Sequence, residues 1–456
     1  MGQRSFPTEL QSQNCTLYNF TIFSRNFAIL VQASSKHLLK ALGPGILFAS
    51  TCIGVSHLVQ STRAGADYGF GLILAIILAN VFKYPFFEFA SRYTSATRVS
   101  IIDGYHRKGK WILFLYLLIT IPSMFIVSAA VTFVTAGLLS NLFNINLDTN
   151  LWAAIILAFC VVVLAVGKYS TLDNLLKVVG TVLVVSTIVA FVSAVITGPA
   201  ERSVDFVPKD PLDPVGIIFM IALMGWMPTA VDISTWTSLW AEAKSKQTGY
   251  YPTLKESSFD FNFGYWISAI LALLFLSLGA LIVYGTGTEL SNSSPVFADQ
   301  IITMFTVAIG DWSYYVIAIA AFSTMFSTTI TVLDGYGRAI ERTASLMVGR
   351  KTYRSRTPFI IWTIIIAIGT FFIVSNYLNS LKQLVDLATI VSFVIAPLAA
   401  FLNYRVIYSD EVDEEHRPPK WLKNLALAGL AFLILFTGIF FWAKLNPESL
   451  VQIINP

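Results

Sequence analysis

The sequence predicts an all-α, polytopic membrane protein with about eleven transmembrane helices, and three observations predict it. Of the 456 residues, 55% are hydrophobic and only 12% are charged, too few charges to cover the surface of a soluble chain of this length. Apolar runs of about twenty residues recur from end to end, each long enough to cross a hydrocarbon core about 30 Å thick. The runs are continuous, which argues against the alternating pattern of a membrane β-barrel. A lipid bilayer is therefore the first expected partner. A net charge of +4 points to no nucleic-acid partner.

Residues 1–39 read as an N-terminal cytoplasmic tail. Within it, Leu17 to Val31 is mildly apolar but is broken by Arg25 and Asn26, and no signal-peptide pattern is present. Residues 40–445 read as a single transmembrane domain, and 446–456 as a short C-terminal tail. Inside the domain, charges and turn residues punctuate the apolar runs. Spans 1 to 5 are expected at 41–66, 69–91, 111–140, 151–167 and 177–198. Span 2 stops at Arg92, span 3 starts after Lys110, and span 4 lies between Asn150 and Lys168. Span 5 runs from Lys177 to Gly198. Spans 6 to 11 are expected at 214–240, 262–286, 312–337, 358–378, 384–404 and 422–443. They are bounded in turn by Pro214, Lys244, Lys255, Arg338, Arg356, Lys382, Arg405, Lys423 and Lys444. The connecting loops leave no room for a soluble domain.

The same Lys and Arg residues set an orientation. With the N-terminus inside, the inside loops hold Arg92, Arg98, Arg107, Lys108 and Lys110, then Lys168, Lys177, Lys244, Lys246 and Lys255. The cluster Arg338, Arg342, Arg350, Lys351, Arg354 and Arg356 follows, then Arg405, Arg417, Lys420 and Lys423. The opposite loops carry little beyond Arg202, Lys209, Lys382 and Lys444. An odd number of spans puts the C-terminus outside, in a plasma or inner membrane. Cys15, Cys52 and Cys160 form no CxxC, and the last two lie in apolar runs, so neither a disulfide framework nor a zinc site is expected.

Two spans look broken. Span 1 reads Gly43-Pro44-Gly45, then Ser50-Thr51-Cys52-Ile53-Gly54-Val55-Ser56-His57, with small and polar residues at mid-depth. Span 6 reads Met224-Gly225-Trp226-Met227-Pro228-Thr229-Ala230-Val231-Asp232, where Pro228 removes a backbone donor and Gly225 loosens the same turn. Backbone groups freed inside a bilayer are tolerable only beside protein, a cavity or a ligand. Breaks at corresponding positions of two repeats mark the binding site of many secondary transporters.

At these two segments the chain resembles the Nramp family of proton-coupled divalent-metal transporters. The family's first span runs from Gly-Pro-Gly through Asp-Pro-Gly-Asn to Ala-Gly-Ala-x-Tyr-Gly. Both flanks are present here, as Gly43-Pro44-Gly45 and Ala64-Gly65-Ala66-Asp67-Tyr68-Gly69, at the family's spacing. The family's Met-Pro-His of span 6 is Met227-Pro228-Thr229. The resemblance covers the whole membrane domain. It implies the leucine-transporter-type fold, with two inverted five-helix repeats, broken helices 1 and 6, and one additional helix.

The centre of the pattern departs from the family. Aligned through the flanks, the metal-binding Asp and Asn become Gly54 and His57, while the ligating Met is Met227. The backbone carbonyl that the family contributes falls on Met224, and the proton-pathway His becomes Thr229. Span 3, acidic in the family, carries no carboxylate between Trp111 and Ser140. The resemblance therefore implies transport of a divalent transition metal through an altered, softer site of His57, Met227 and Cys52, with Asp232 as the carboxylate nearest either break.

Other polar residues lie at depth. Lys83 and Glu88, five residues apart in span 2, point about 140° apart and are not expected to pair. Lys83 is a coupling or gating candidate expected to serve transport more than folding, and Glu88 reaches toward the inner interface. Asp232 suits either ligation or capping of the second half of span 6. Arg63 and Asp67, four apart, are expected to pair near the outer mouth. His57 fits either a ligand or a satisfied core histidine. The alternative reading is a transporter of the same fold for an amino acid or organic cation, with Trp226 and Trp236 as a stacking surface. Either way the expected partner is a transported ion or small solute, with no cofactor. Four histidines, His37, His57, His106 and His416, without HExxH, make an enzyme improbable.

Overall fold

The computed structural model describes residues 43–145, 147–167, 169–349, 356–376 and 381–445. The two predicted tails, and the basic loop residues Arg350, Lys351 and Arg354, lie outside them. The described residues from Pro44 onward form one compact unit of helices.

Among the described residues, nine helices are long and apolar enough to cross a membrane. They are Ile73–Thr97, Lys110–Phe143, Thr149–Val166, Gly180–Thr197, Leu254–Ile282, Asp311–Met347, Thr357–Asn376, Leu381–Ile407 and Lys420–Leu445. These are spans 2 to 5 and 7 to 11. Spans 1 and 6 are each interrupted, as the sequence predicts. Span 1 consists of Pro44–Cys52, then a π-helical turn Ser56–Ser61 that runs into Thr62–Tyr68. Span 6 consists of Pro214–Gly225 and, after a gap, a short turn Val231–Ile233 leading into Ser234–Thr248.

Two helices were not legible as such. Ile101–Lys108 is a short helix after span 2, started by Ser100, whose hydroxyl accepts from the Asp103 amide at 3.4 Å. Ser294–Ile309 lies between spans 7 and 8, where the sequence reads as loop. At 16 residues it is about 24 Å long, too short to span. It packs on span 3 through Ser294, whose hydroxyl donates to the Phe133 carbonyl at 2.8 Å.

Span 1 lies against span 7 closely enough to exclude side chains. A Cβ on Gly45 would sit 2.0 Å from the Asp260 carbonyl oxygen, and one on Gly264 2.1 Å from that of Gly45. Further along, a Cβ on Gly65 would sit 1.9 Å from the Leu276 oxygen, and one on Gly279 2.3 Å from that of Thr62. This is small-residue packing of membrane helices, in which backbones touch. Gly45 and Gly65, parts of the flanks that carry the resemblance, are therefore packing residues. The Gly45 amide also donates to the Asp260 carboxylate at 2.6 Å, capping the first half of span 1 from span 7.

Candidate functional site

The two breaks face one another at the centre of the bundle. In span 1 the helix stops at Cys52, and Gly54 bridges to the next half. The Gly54 carbonyl accepts from the His57 and Leu58 amides at 3.0 and 2.9 Å, starting the second half. The carbonyls left over at the end of the first half are answered from span 8. Thr328 directs its hydroxyl at the Ser50 carbonyl, 3.0 Å away, and Ser50 and Ser327 share a hydrogen bond of 2.8 Å. Gly54 has no spare room, since a Cβ there would meet Thr328 at 2.9 Å.

In span 6, Asp213 caps the first half by accepting from the Gly216 amide at 2.5 Å. The helix ends at Gly225, where the backbone touches span 10: a Cβ on Gly225 would lie 2.1 Å from the Thr389 oxygen. Trp226 to Ala230 are unwound, and the Met227–Pro228 peptide is cis. The Lys83 ammonium, fully buried, enters this gap from span 2. It donates to the carbonyls of Met224 at 2.7 Å, Gly225 at 2.8 Å and Thr229 at 3.1 Å. Three donors meet three acceptors. The ammonium also lies at the negative end of the first half-helix. Lys83 thus ties span 2 to the break and has a structural task, where the sequence pointed mainly to a transport role.

The other predicted site residues are placed as follows. His57 is fully buried and turned toward span 7, with Nε2 donating to the Ser268 carbonyl at 2.8 Å and Nδ1 2.8 Å from the Ser56 hydroxyl. Both ring nitrogens are engaged, which is the arrangement of a satisfied core histidine. Met227 is buried, its sulfur 3.8 Å from the Ser61 hydroxyl. Cys52 is a buried free thiol. Asp232 accepts from Ser123 at 3.0 Å through Oδ2, and Ser123 is also bonded to Tyr336 at 2.7 Å. Its Oδ1 is buried with no hydrogen-bond partner among the described residues. Neither Ala230 before the short turn nor Ile233 before the second half of span 6 supplies a side-chain cap. Among the described residues, no three His, Cys, Asp or Glu side chains converge as a metal-holding group. Of the two tryptophans, Trp226 borders the centre, while Trp236 packs against Tyr336 with ring centroids 4.6 Å apart.

Between the breaks is a cavity of about 20 Å³, enough for roughly one water. The hydroxyl-bearing residues in its lining are Thr51, Ser56, Thr229 and Thr328. The remainder is Val55, Val127, Val131, Trp226, Ile233 and Val332. No charged side chain lines it.

A second cavity of about 500 Å³ opens at the end of the bundle that carries Asp386. Its wall includes Arg63, Asp67, Lys209, Asp213, Glu289, Lys382 and Asp386. The predicted Arg63–Asp67 pair is not formed. Arg63 turns inward to Asp386 of span 10, with bonds of 2.7 and 3.1 Å, while Asp67 on the rim meets Lys209 at 2.5 Å. The reason is local: Arg63 also donates to Gln60 at 2.9 Å and lies over the Phe219 ring at 4.9 Å, contacts an outward-turned guanidinium would lose. At the opposite end, Glu88 and Arg92 of span 2 pair at 2.6 Å and do not involve Lys83. Arg342 of span 8 pairs there with Asp103, and both are buried. Asp103 carried no distinguishing sequence signal and Asp386, at the outer start of span 10, reads only as interfacial, because their partners are hundreds of residues away.

The chain and its fold have counterparts among known proteins. The sequence profile described as natural resistance-associated macrophage protein-like, Nramp, matches residues 45–443. An uncharacterised protein of Pasteurella multocida (strain Pm70) is 36% identical over 407 residues, covering 88% of this chain and 91% of that one. Among solved structures, a mutant of the manganese transporter of Eremococcus coleocola superposes with a TM-score of 0.67 at 13% identity, covering 90% of this chain and 88% of its own. MhsT in complex with L-phenylalanine superposes with a TM-score of 0.56 at 13% identity, over 88% of this chain and 98% of its own. The shared fold is the leucine-transporter type, with inverted five-helix repeats and broken helices 1 and 6. From its broken first span to its eleventh, this chain belongs to the Nramp family of membrane transporters.

Proposed function

We propose that this transporter carries a small solute bearing a carboxylate, an amino acid in the first instance, through the cavity between its two breaks. The observation that carries this reading is the lining of that cavity: four Ser and Thr residues, otherwise mainly apolar residues, and no carboxylate. A bare divalent cation would lose its hydration shell there without a carboxylate to compensate. One helix end at the cavity favours an anionic group. Val55 and Ser56, which open the second half of span 1, line the cavity with the positive end of that half-helix. The Met224 carbonyl, the backbone ligand implied by the resemblance, is held by the Lys83 ammonium. The cavity in this arrangement holds about one water, so solute entry requires spans to separate, as alternating access provides.

A second reading, transport of a soft transition-metal ion, is supported by Met227 at the break and by family membership. Calorimetry on the purified protein distinguishes the two. The expected result is saturable binding of at least one small amino acid and none of Mn²⁺, Zn²⁺ or Mg²⁺. Saturable Mn²⁺ or Zn²⁺ binding, with no response to amino acids, would replace the first reading by the second.

The loop charges support an inside N-terminus and an outside C-terminus in a plasma or inner membrane, which puts the Asp386 end outside. Reporter fusions after Gly349 and Leu445 are expected on opposite sides of the membrane. Both on one side would refute the orientation.

A further inference from the structure

A buried ammonium in a membrane protein costs several kcal/mol unless its charge and donors are answered. Lys83 is fully buried, and among the described residues no carboxylate is bonded to it. Its answer is entirely backbone: the Met224, Gly225 and Thr229 carbonyls converge on Nζ at 2.7, 2.8 and 3.1 Å. The first two end a twelve-residue half-helix and the third lies across the break, so the unwinding itself builds the seat. Oxygen cradles for hard divalent ions are tighter, about 2.0–2.1 Å for Mg²⁺ and about 2.3–2.6 Å for Ca²⁺. A ring of oxygens at ammonium distances suits a larger, singly charged ion. Asp232, one turn past the break, is buried with Oδ1 unpartnered among the described residues, and adds negative potential to the same region.

We propose that the span 6 break is a seat for a monovalent cation of potassium or ammonium size, and that Lys83 fills it as a tethered resident cation. The covalent stem supplies at no concentration cost what a free ion would have to supply by binding. The parent protein accordingly needs no dissolved cation at this position, whichever solute crosses the membrane. Removing the ammonium exposes three buried carbonyls and converts the seat into a site for a free ion.

The test reads thermal stability and needs no substrate, so its failure is separate from failure of the amino-acid reading. Parent and Lys83→Ala are purified and melted in matched chloride salts of potassium, ammonium, sodium and N-methylglucamine. The parent is expected to melt at one temperature in all four. Lys83→Ala is expected to melt lower in N-methylglucamine and to gain about 5 °C or more, saturably, in potassium or ammonium. Ethylammonium, which replaces the end of the missing side chain, should rescue it as well. If Lys83→Ala yields no folded protein in any salt, Lys83→Gln is melted in the same way. Its amide oxygen adds a fourth neutral ligand beside the seat, so potassium should raise its Tm over N-methylglucamine. Indifference of the folded variant to the cation, or the same cation response in the parent, overturns the proposal.

Discussion

Arg342→Met is expected to destabilise the protein by about 3–5 kcal/mol, because it leaves Asp103 buried without its counter-ion. The Arg342 and Asp103 side chains are only 6% and 8% exposed, so little solvent screening tempers the loss. Asp103 would retain only its short-helix contacts, chiefly the Ser100 hydroxyl at 2.5 Å. The pair fastens the short helix after span 2 to span 8, and breaking it frees the end of the bundle opposite Asp386. Adding Asp103→Asn to Arg342→Met removes the stranded charge and is expected to recover most of the loss. Equilibrium unfolding in mixed detergent micelles measures both steps. A single variant within about 1 kcal/mol of the parent would show that the pair is not a fastening.

Arg63→Leu is expected to bias the transporter the other way, toward opening at the Asp386 end. Arg63 joins span 1 to span 10 by two hydrogen bonds to Asp386, backed by Gln60 and the Phe219 ring. Asp386 is 30% exposed, so the pair is screened and is worth about 1–2 kcal/mol, far less than the Arg342 pair. That is still roughly a tenfold shift between closed and open populations. A cysteine placed at Thr229, which lines the central cavity, reports it once Cys15, Cys52 and Cys160 are replaced. Labelling by a membrane-impermeant reagent from the Asp386 side is expected to quicken about tenfold in the Arg63→Leu background. An unchanged rate would mean that packing of Tyr68 against Phe219, ring centroids 5.5 Å apart, closes that end without the ion pair.

The legible part of the molecule is the part governed by chain-local physics. Whether twenty residues can cross a bilayer depends on those residues, so the spans were read at the right places. A proline that cannot donate and a glycine that loosens a turn act where they stand, which is why the breaks at Gly54 and Pro228 were visible. The short helix Ser294–Ile309 was missed because it is too short for a span and is held by span 3, a contact no local pattern announces.

The sequence by itself determined that this is a membrane transporter, where its helices break, and which ionisable groups lie at depth. What those groups do was decided by the tertiary structure alone. Arg63 reaches Asp386 across 323 residues of chain, and Lys83 reaches Met224 across 141. His57 answers Ser268 across 211, which engages one of its two ring nitrogens. A buried polar group must be satisfied by whatever folding brings within about 3 Å, and that neighbour is set by how helices from the two repeats pack. Gly45 and Gly65, in the flanks that carry the family pattern, prove to be backbone contacts between spans 1 and 7, which close packing requires to be glycine. Packing can therefore hold the fold unchanged while the polar residues at its centre differ from those of the family pattern.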